Sequence, residues 1–190
     1  MVVADECELI EGCKRQERAA QKRMYDSFAG KMYALCLRYT KNRTDAEDVL
    51  QDAFVKIFTH IDAFRGDSPL EFWVRSVVVN TALKHLKKQK AWVEMEDSTH
   101  YEQLRSANEP VLADFQYEQL MGFVQGLPVG CQTVFNLYAI EGYQHSEIAE
   151  MLGVSEGTSK SQYARARSLL QQKLFKEKRF DDESVRKTQF

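Results

Sequence analysis

The chain has 190 residues, with 26 lysines and arginines against 28 aspartates and glutamates, for a formal net charge of -2 at pH 7. Hydrophobic residues make up 44% and charged residues 28%, which excludes wholesale disorder and suffices for buried cores. The near-neutral balance excludes a uniformly basic nucleic-acid coat. With only 3 prolines and 9 glycines, and helix-period patterning between them, the sequence predicts an all-α fold.

From Leu9 to Tyr39 the pattern is helical throughout, with an apolar stripe through Met24, Phe28, Met32, Leu35, Cys36 and Tyr39. Asn42, Arg43 and Thr44 interrupt it, and Thr44 followed by Glu47 reads as a capping box opening the next helix. There Ala46, Val49, Leu50, Ala53, Phe54, Ile57 and Phe58 form one buried stripe, while Asp45, Asp48 and Asp52 share another face. The stretch from Phe64 to Pro69 is a loop by its Gly and Pro, with Pro69 in the first turn of the following helix and Ser68 as its cap. That helix is expected to run to about Gln89, ending in lysines that suit the negative pole of its dipole.

Residues 91–110 mix acids, Ser, Thr and Asn without periodicity and are the expected linker between two small domains, 1–90 and 111–190. In the second domain a helix from Val111 to Gln125 ends near Gly126. Leu127-Pro128-Val129-Gly130 turns into a helix carrying Val134, Phe135, Leu137 and Tyr138, and Gly142 breaks the pattern. A helix with Ile148, Ala149, Met151 and Leu152 follows, then the turn Gly153-Val154-Ser155, then a basic helix from Glu156 to about Lys178.

Charge is segregated. Lys84, Lys87, Lys88 and Lys90 form one basic stretch, and Lys160, Arg165, Arg167, Lys173, Lys176, Lys178 and Arg179 another. Between them the run from Glu94 to Glu118 is acidic, making the linker an acidic strap between two basic faces. Cys7, Cys13, Cys36 and Cys131 form no CxxC pair and read as reduced thiols. His60, His85, His100 and His145 lack ligand spacing, so no metal and no cofactor is expected. No apolar leader and no spanning segment is recognisable, which leads to the expectation of a cytoplasmic protein without membrane insertion.

Two constellations carry function. Ala149, Gly153 and Ser155 are a helix-turn-helix in physical terms: a small side chain for close approach, a residue free to take positive φ, and a cap for the next helix. On that helix Lys160, Ser161, Ala164, Arg165 and Arg167 share a face suited to the major groove, while Ser159, Tyr163, Ala166, Leu170 and Leu174 face inward. In the Phe64–Ser68 loop with Phe72 and Trp73, aromatics can stack on unpaired bases, Arg65 can pair with phosphate, and Asp67 and Ser68 offer polar edges. Plain readings compete: Phe72 and Trp73 also fit a core, and a helical hairpin with a Gly turn also occurs as a packing unit. A stand-alone helix-turn-helix regulator therefore stays open, as does a helical enzyme acting on a flipped base. The enzyme would need an acid/base pair or zinc ligands, and beside the loop there is only Asp67. No catalytic nucleophile is recognisable, and the expectation is a protein that is not an enzyme.

The run Asp45-Ala46-Glu47-Asp48-Val49-Leu50-Gln51-Asp52-Ala53-Phe54 resembles region 2 of the sigma-70 superfamily, as do Phe64-Arg65-Gly66-Asp67-Ser68, Phe72-Trp73-Val74-Arg75 and Val79-Asn80-Thr81-Ala82. Leu127-Pro128, Thr133-Val134-Phe135, Glu141-Gly142-Tyr143, Glu147-Ile148-Ala149 and Gly157-Thr158-Ser159-Lys160-Ser161 resemble region 4. With both blocks in family order and no region 3 between them, the chain is similar to sigma factors of the extracytoplasmic-function (ECF) type. The resemblance implies two small helical domains, a region 2 bundle and a region 4 helix-turn-helix, that direct promoter-specific initiation and melting. It implies that Asp48, Gln51, Asp52 and Val55 dock on the clamp helices of the largest subunit of core RNA polymerase, and that region 4 meets the flap of the second subunit. Phe64, Arg65, Asp67, Ser68 and Trp73 would hold an unpaired minus-ten base, with Asn80 and Lys84 on the adjoining duplex. Ser155, Lys160, Ser161, Ala164, Arg165 and Arg167 would meet the minus-thirty-five element, and an anti-sigma factor would mask these surfaces. The sequence departs from the family at Gln144, in place of a better-capping Ser or Thr, and at Ser159, in place of an apolar residue; both are expected to weaken packing. At Gln162, where Arg is common, it is expected to change which upstream bases are read, since Gln pairs with adenine and Arg with guanine.

Overall fold

The computed structural model describes residues 4–88 and 117–187, and among them every regular element is helical. The chain divides into two compact units, residues 1–89 and 90–190. The linker expected at 91–110, with the acidic run as far as Asp114 and the Val111 start of the next helix, lies outside the described residues.

The first unit holds α1 (Ala4–Lys14), α2 (Arg18–Tyr39), α3 (Arg43–Thr59), a 3-10 turn (Ile61–Ala63) and α4 (Leu70–Lys88). The last three helices pack on one another, and α1 lies on α2 and the 3-10 turn. The α3 stripe is the centre of this core: Ala46, Val49, Leu50, Ala53, Phe54 and Ile57 are buried. Met24, Met32, Leu35 and Tyr39 of α2 and Leu70, Val74, Val78 and Ala82 of α4 are buried with them, each large side chain contributing about 1.5–3 kcal/mol on removal from water.

Three boundaries in this unit differ from the sequence reading, and in the second unit the last helix runs to Lys187 rather than to about Lys178. The helix expected from Leu9 to Tyr39 is two helices, because Gln16 takes the left-handed conformation with φ 59 and the Glu17 N–H bonds Gly12 O at 3.0 Å. This is a C-terminal cap made without the usual glycine. The α3 cap is Asn42 rather than Thr44, its side chain accepting the Asp45 N–H at 2.8 Å. Finally, α4 begins at Leu70, one residue after Pro69, and no local side chain supplies the acceptor for its first N–H; Glu6 of α1 does, at 2.9 Å.

The second unit holds α5 (Tyr117–Gln125), α6 (Val129–Phe135), a π turn (Asn136–Ile140), α7 (His145–Leu152) and α8 (Glu156–Lys187). The long α8 is its spine, packing against α5, α6 and α7. Leu127, Cys131 and Ala166 form a buried cluster with Phe135, Leu169 and Leu170 against it, and Ile148 and Leu152 seal α7. Lys173, part of the basic run in the sequence, donates to Gly126 O at 3.3 Å, where a cation suits the carbonyl end of α5.

Candidate nucleic-acid and protein interfaces

On α3 the side opposite the core exposes Asp48, Gln51, Asp52 and Val55. Their spacing of three, four and seven residues places them on one face, and Val55 is 59% exposed among the two carboxylates. The face combines one apolar contact with two anions, a composition suited to a partner with basic and apolar side chains.

Beside it, α3 and α4 enclose a cavity of about 120 Å³ lined by Asp52, Lys56, Thr81, Lys84, His85 and Lys88. Lys56 Nζ donates to Thr81 Oγ1 at 3.0 Å, and that hydroxyl donates to Val77 O at 2.8 Å. Burial pushes the Lys56 ammonium down from its ordinary range; Asp52 opposes the shift, and repulsion from Lys84 and Lys88 adds to it. Three ammonium groups against one carboxylate make this corner of the unit positive, and Lys84 and Asn80 stand exposed on α4.

In the loop, Arg65, Asp67 and Ser68 are exposed, with Gly66 at φ 80 setting the turn. Phe64 is not available for stacking on a base: it is 7% exposed and tilted against the half-buried Trp73, ring centroids 5.7 Å apart. The exposed ring is Phe72, at 64%. Of the aromatics expected to stack on an unpaired base, Phe64 is thus withdrawn into the core and Phe72 stays exposed. Phe64 caps the 3-10 turn, its N–H on Ile61 O at 3.1 Å, and buries its ring, whereas Phe72 falls on the outer side of the α4 first turn.

The helix-turn-helix is formed by α7, the turn and α8. Gly153 takes φ 72 at the end of α7, and Ser155 Oγ accepts the Thr158 N–H at 3.0 Å, capping α8. Glu147 Oε2 accepts the Gln144 N–H at 2.7 Å, so the start of α7 is supported from its third residue despite Gln144. Ser155, Lys160, Ser161, Ala164 and Arg167 are exposed. Lys160 pairs with Glu156 at 2.7 Å, and Ser161 Oγ bonds Thr158 O at 3.0 Å. Arg165 is half-buried, and its charge reaches the Cys131 thiol, which burial pushes up to about 11 and Arg165 partly draws back. Arg165 therefore leans toward the core side of α8 rather than sharing the fully exposed face.

Two departures from the family pattern acquire a structural meaning. Ser159 is fully buried, but its hydroxyl meets His145 Nδ1 at 2.9 Å. The ring of His145 stacks on Tyr138, centroids 4.2 Å apart, and lies edge-on to Tyr163. A polar residue in an apolar slot is thus satisfied rather than merely tolerated. Gln162 is 1% exposed and accepts from Cys131 Sγ at 3.0 Å, so it faces the core and does not reach DNA bases. Replacing Gln162 by Arg is expected to lower the stability of the second unit by about 2 kcal/mol, because it buries a charge in place of a hydrogen-bonded amide. Urea denaturation reads that loss, and promoter preference at adenine and guanine positions should not change.

The same aromatic cluster makes a pH prediction. Burial, then repulsion from Lys160, pushes the His145 pKa below its ordinary value, with Glu156 opposing. A folded-state pKa below the unfolded one near 6.5 means that the unfolded chain takes up the proton first. The His145 contribution is therefore complete above about pH 6.5 and lost as pH falls through the lower folded value. Denaturation midpoints of wild type and His145→Gln, compared between pH 7.5 and pH 5, should converge toward the acid end.

An exposed acidic face on one helical unit and a helix-turn-helix on another fit one class, a helical transcription factor. Comparison with known proteins gives the family. The sigma-70 region 2 model matches residues 24–91 and the sigma-70 region 4 model residues 117–170. The chain is 27% identical over 177 residues to the ECF RNA polymerase sigma-E factor of Haemophilus influenzae, covering 87% of this chain and 93% of that protein. It is 30% identical over 145 residues to the RNA polymerase sigma factor SigV of Bacillus subtilis, covering 76% and 85%. In fold it is similar to the sigma factor RpoE of Bartonella quintana, solved in complex with the anti-sigma factor NepR, with a TM-score of 0.52, 21% identity, and coverage of 80% and 95%. The chain belongs to the sigma-70 superfamily, as an ECF sigma factor that directs RNA polymerase to promoters.

Proposed function

We propose that the first unit docks on the clamp helices of the largest polymerase subunit through Asp48, Gln51, Asp52 and Val55, and captures an unpaired minus-ten base with Arg65, Asp67, Ser68 and Trp73. The observation that carries this reading is the exposed α3 face, two carboxylates followed one turn on by an apolar side chain, on the side of the helix away from its own core. Phe72 takes the stacking role first given to Phe64, because it is the exposed ring beside the loop. Asn80 and Lys84, on the positive corner of α4, meet the adjoining duplex. The second unit enters the minus-thirty-five major groove with Lys160, Ser161, Ala164 and Arg167 and meets the flap of the second polymerase subunit. Ser155 fixes the start of the reading helix, and Arg165 supports it from the half-buried side.

The protein contributes no catalytic group; RNA synthesis belongs to the polymerase. It works in the cytoplasm, and no helix among its described residues is long and apolar enough to cross a membrane. An anti-sigma factor is a natural partner for this chain, since the Bartonella sigma factor is solved in complex with one. Run-off transcription tests the whole reading: purified chain plus core polymerase gives promoter-dependent transcripts, whereas a stand-alone regulator gives none without another sigma factor.

A further inference from the structure

The first turn of α4 has a capping problem that its own neighbourhood does not solve. A helix leaves its first N–H groups without intrahelical acceptors, and the residue before Leu70 is Pro69, which has no side-chain acceptor. The Phe72 N–H turns back to Pro69 O at 3.0 Å. Leu70 is fully buried, so its own N–H needs a protein partner. That partner is Glu6, 64 residues earlier, whose Oε1 accepts at 2.9 Å. The Glu6 carboxylate, half-buried, also sits where the α4 dipole favours an anion.

Glu6 is held in turn by the placement of α1. Arg23 Nη2 of α2 bonds Asp5 Oδ1 at 2.7 Å, and Leu9, Ile10 and Cys13 are buried. At Gly12 a Cβ would come within 2.7 Å of the Ala20 Cβ, so only glycine allows the approach of α1 to α2 seen here. The same helix packs on the 3-10 turn Ile61–Ala63. It therefore touches the chain on both sides of the Phe64–Pro69 loop, at the turn that enters it and the helix that leaves it. All of α1 precedes residue 24, where the family match begins.

We propose that Glu6 is a positioning residue for the minus-ten loop. By closing the α4 first turn it fixes Arg65, Asp67 and Ser68 in the shape that receives an unpaired base, so the N-terminal helix is part of the promoter-melting machinery. This rests on the loop reading given under Proposed function.

The test uses full-length protein assembled with core polymerase, and forked promoter fragments with an unpaired minus-ten strand, chosen from DNA that the wild-type holoenzyme selects. Glu6→Ala is expected to weaken binding to the fork about tenfold, the size of a lost helix cap, with affinity for core polymerase and for upstream duplex unchanged. Glu6→Gln, which keeps an oxygen acceptor, restores most of the loss. Arg65→Ala and Asp67→Ala separate the two ideas. If these weaken fork binding and Glu6→Ala does not, the positioning role alone is overturned. If neither they nor Glu6→Ala weaken it, the loop reading fails and the role of Glu6 with it. A uniform loss by Glu6→Ala on fork, duplex and core, accompanied by a lower melting temperature and no recovery with Gln, marks a general folding role and also overturns the proposal.

Discussion

Reversing both carboxylates of the α3 face, Asp48→Lys with Asp52→Lys, is expected to weaken binding to core polymerase by roughly a hundredfold or more, enough to abolish co-elution on gel filtration. Asp48 and Asp52 are exposed and lie away from the buried stripe of Ala46, Val49, Ala53 and Ile57, so the fold should survive. Truncating one member of a close interfacial charge pair costs about 2–5 kcal/mol, and reversal adds repulsion to that loss. Asp52 also opposes the repulsion that Lys84 and Lys88 exert on Lys56 beside the α3/α4 cavity. Reversal there should lower the melting temperature by a few degrees at most, since partly exposed pairs contribute about 1 kcal/mol or less. Asp48→Asn with Asp52→Asn should give an intermediate loss. Full co-elution of a folded Lys variant would remove the polymerase-facing assignment of α3.

The second large effect is expected on α8. Lys160→Glu with Arg167→Glu should reduce affinity for minus-thirty-five duplex by more than about a hundredfold at physiological salt, leaving core binding and the fold intact. Both side chains are exposed, and the partner that Lys160 loses, Glu156, is a surface pair within the same helix, which contributes little to stability. If each cation neutralises one phosphate, removing both should also flatten the dependence of log affinity on log salt by about two units. Fluorescence anisotropy across a salt series measures both quantities. A large affinity loss with an unchanged salt slope would mean that these residues act through bases or helix geometry rather than through phosphate.

The face of α3 was legible in the sequence because period and composition agree there. Apolar residues recur on one side and acids on another, so the buried stripe and the exposed face follow from helical geometry alone. The helix-turn-helix was legible for a different reason. Gly153 at positive φ and Ser155 as a cap are local devices, and each works within a few residues of itself. The two-block pattern of sigma regions added the family, to which the pair is more specific than either block alone.

What the sequence could not settle depends on residues far apart in the chain. Gln16 ends α1 without a glycine signal because α1 must pack closely on α2 through Gly12 and Ala20. Gln162 shares the inward face of α8 with Ser159 and Ala166 by helical period, but that its amide oxygen finds a donor there, Cys131 Sγ of α6, depends on tertiary packing. Phe64 is buried and Phe72 exposed because the position of a side chain beside a turn is set by what packs there, not by its spacing. Helix existence, the α3 stripe and the turn chemistry were fixed locally, by propensity, periodicity and backbone conformation. The direction of individual side chains at helix ends, and the capping of α4 by a carboxylate from α1, were decided only by tertiary structure, because a buried polar group takes its partner from whichever element the fold brings within reach.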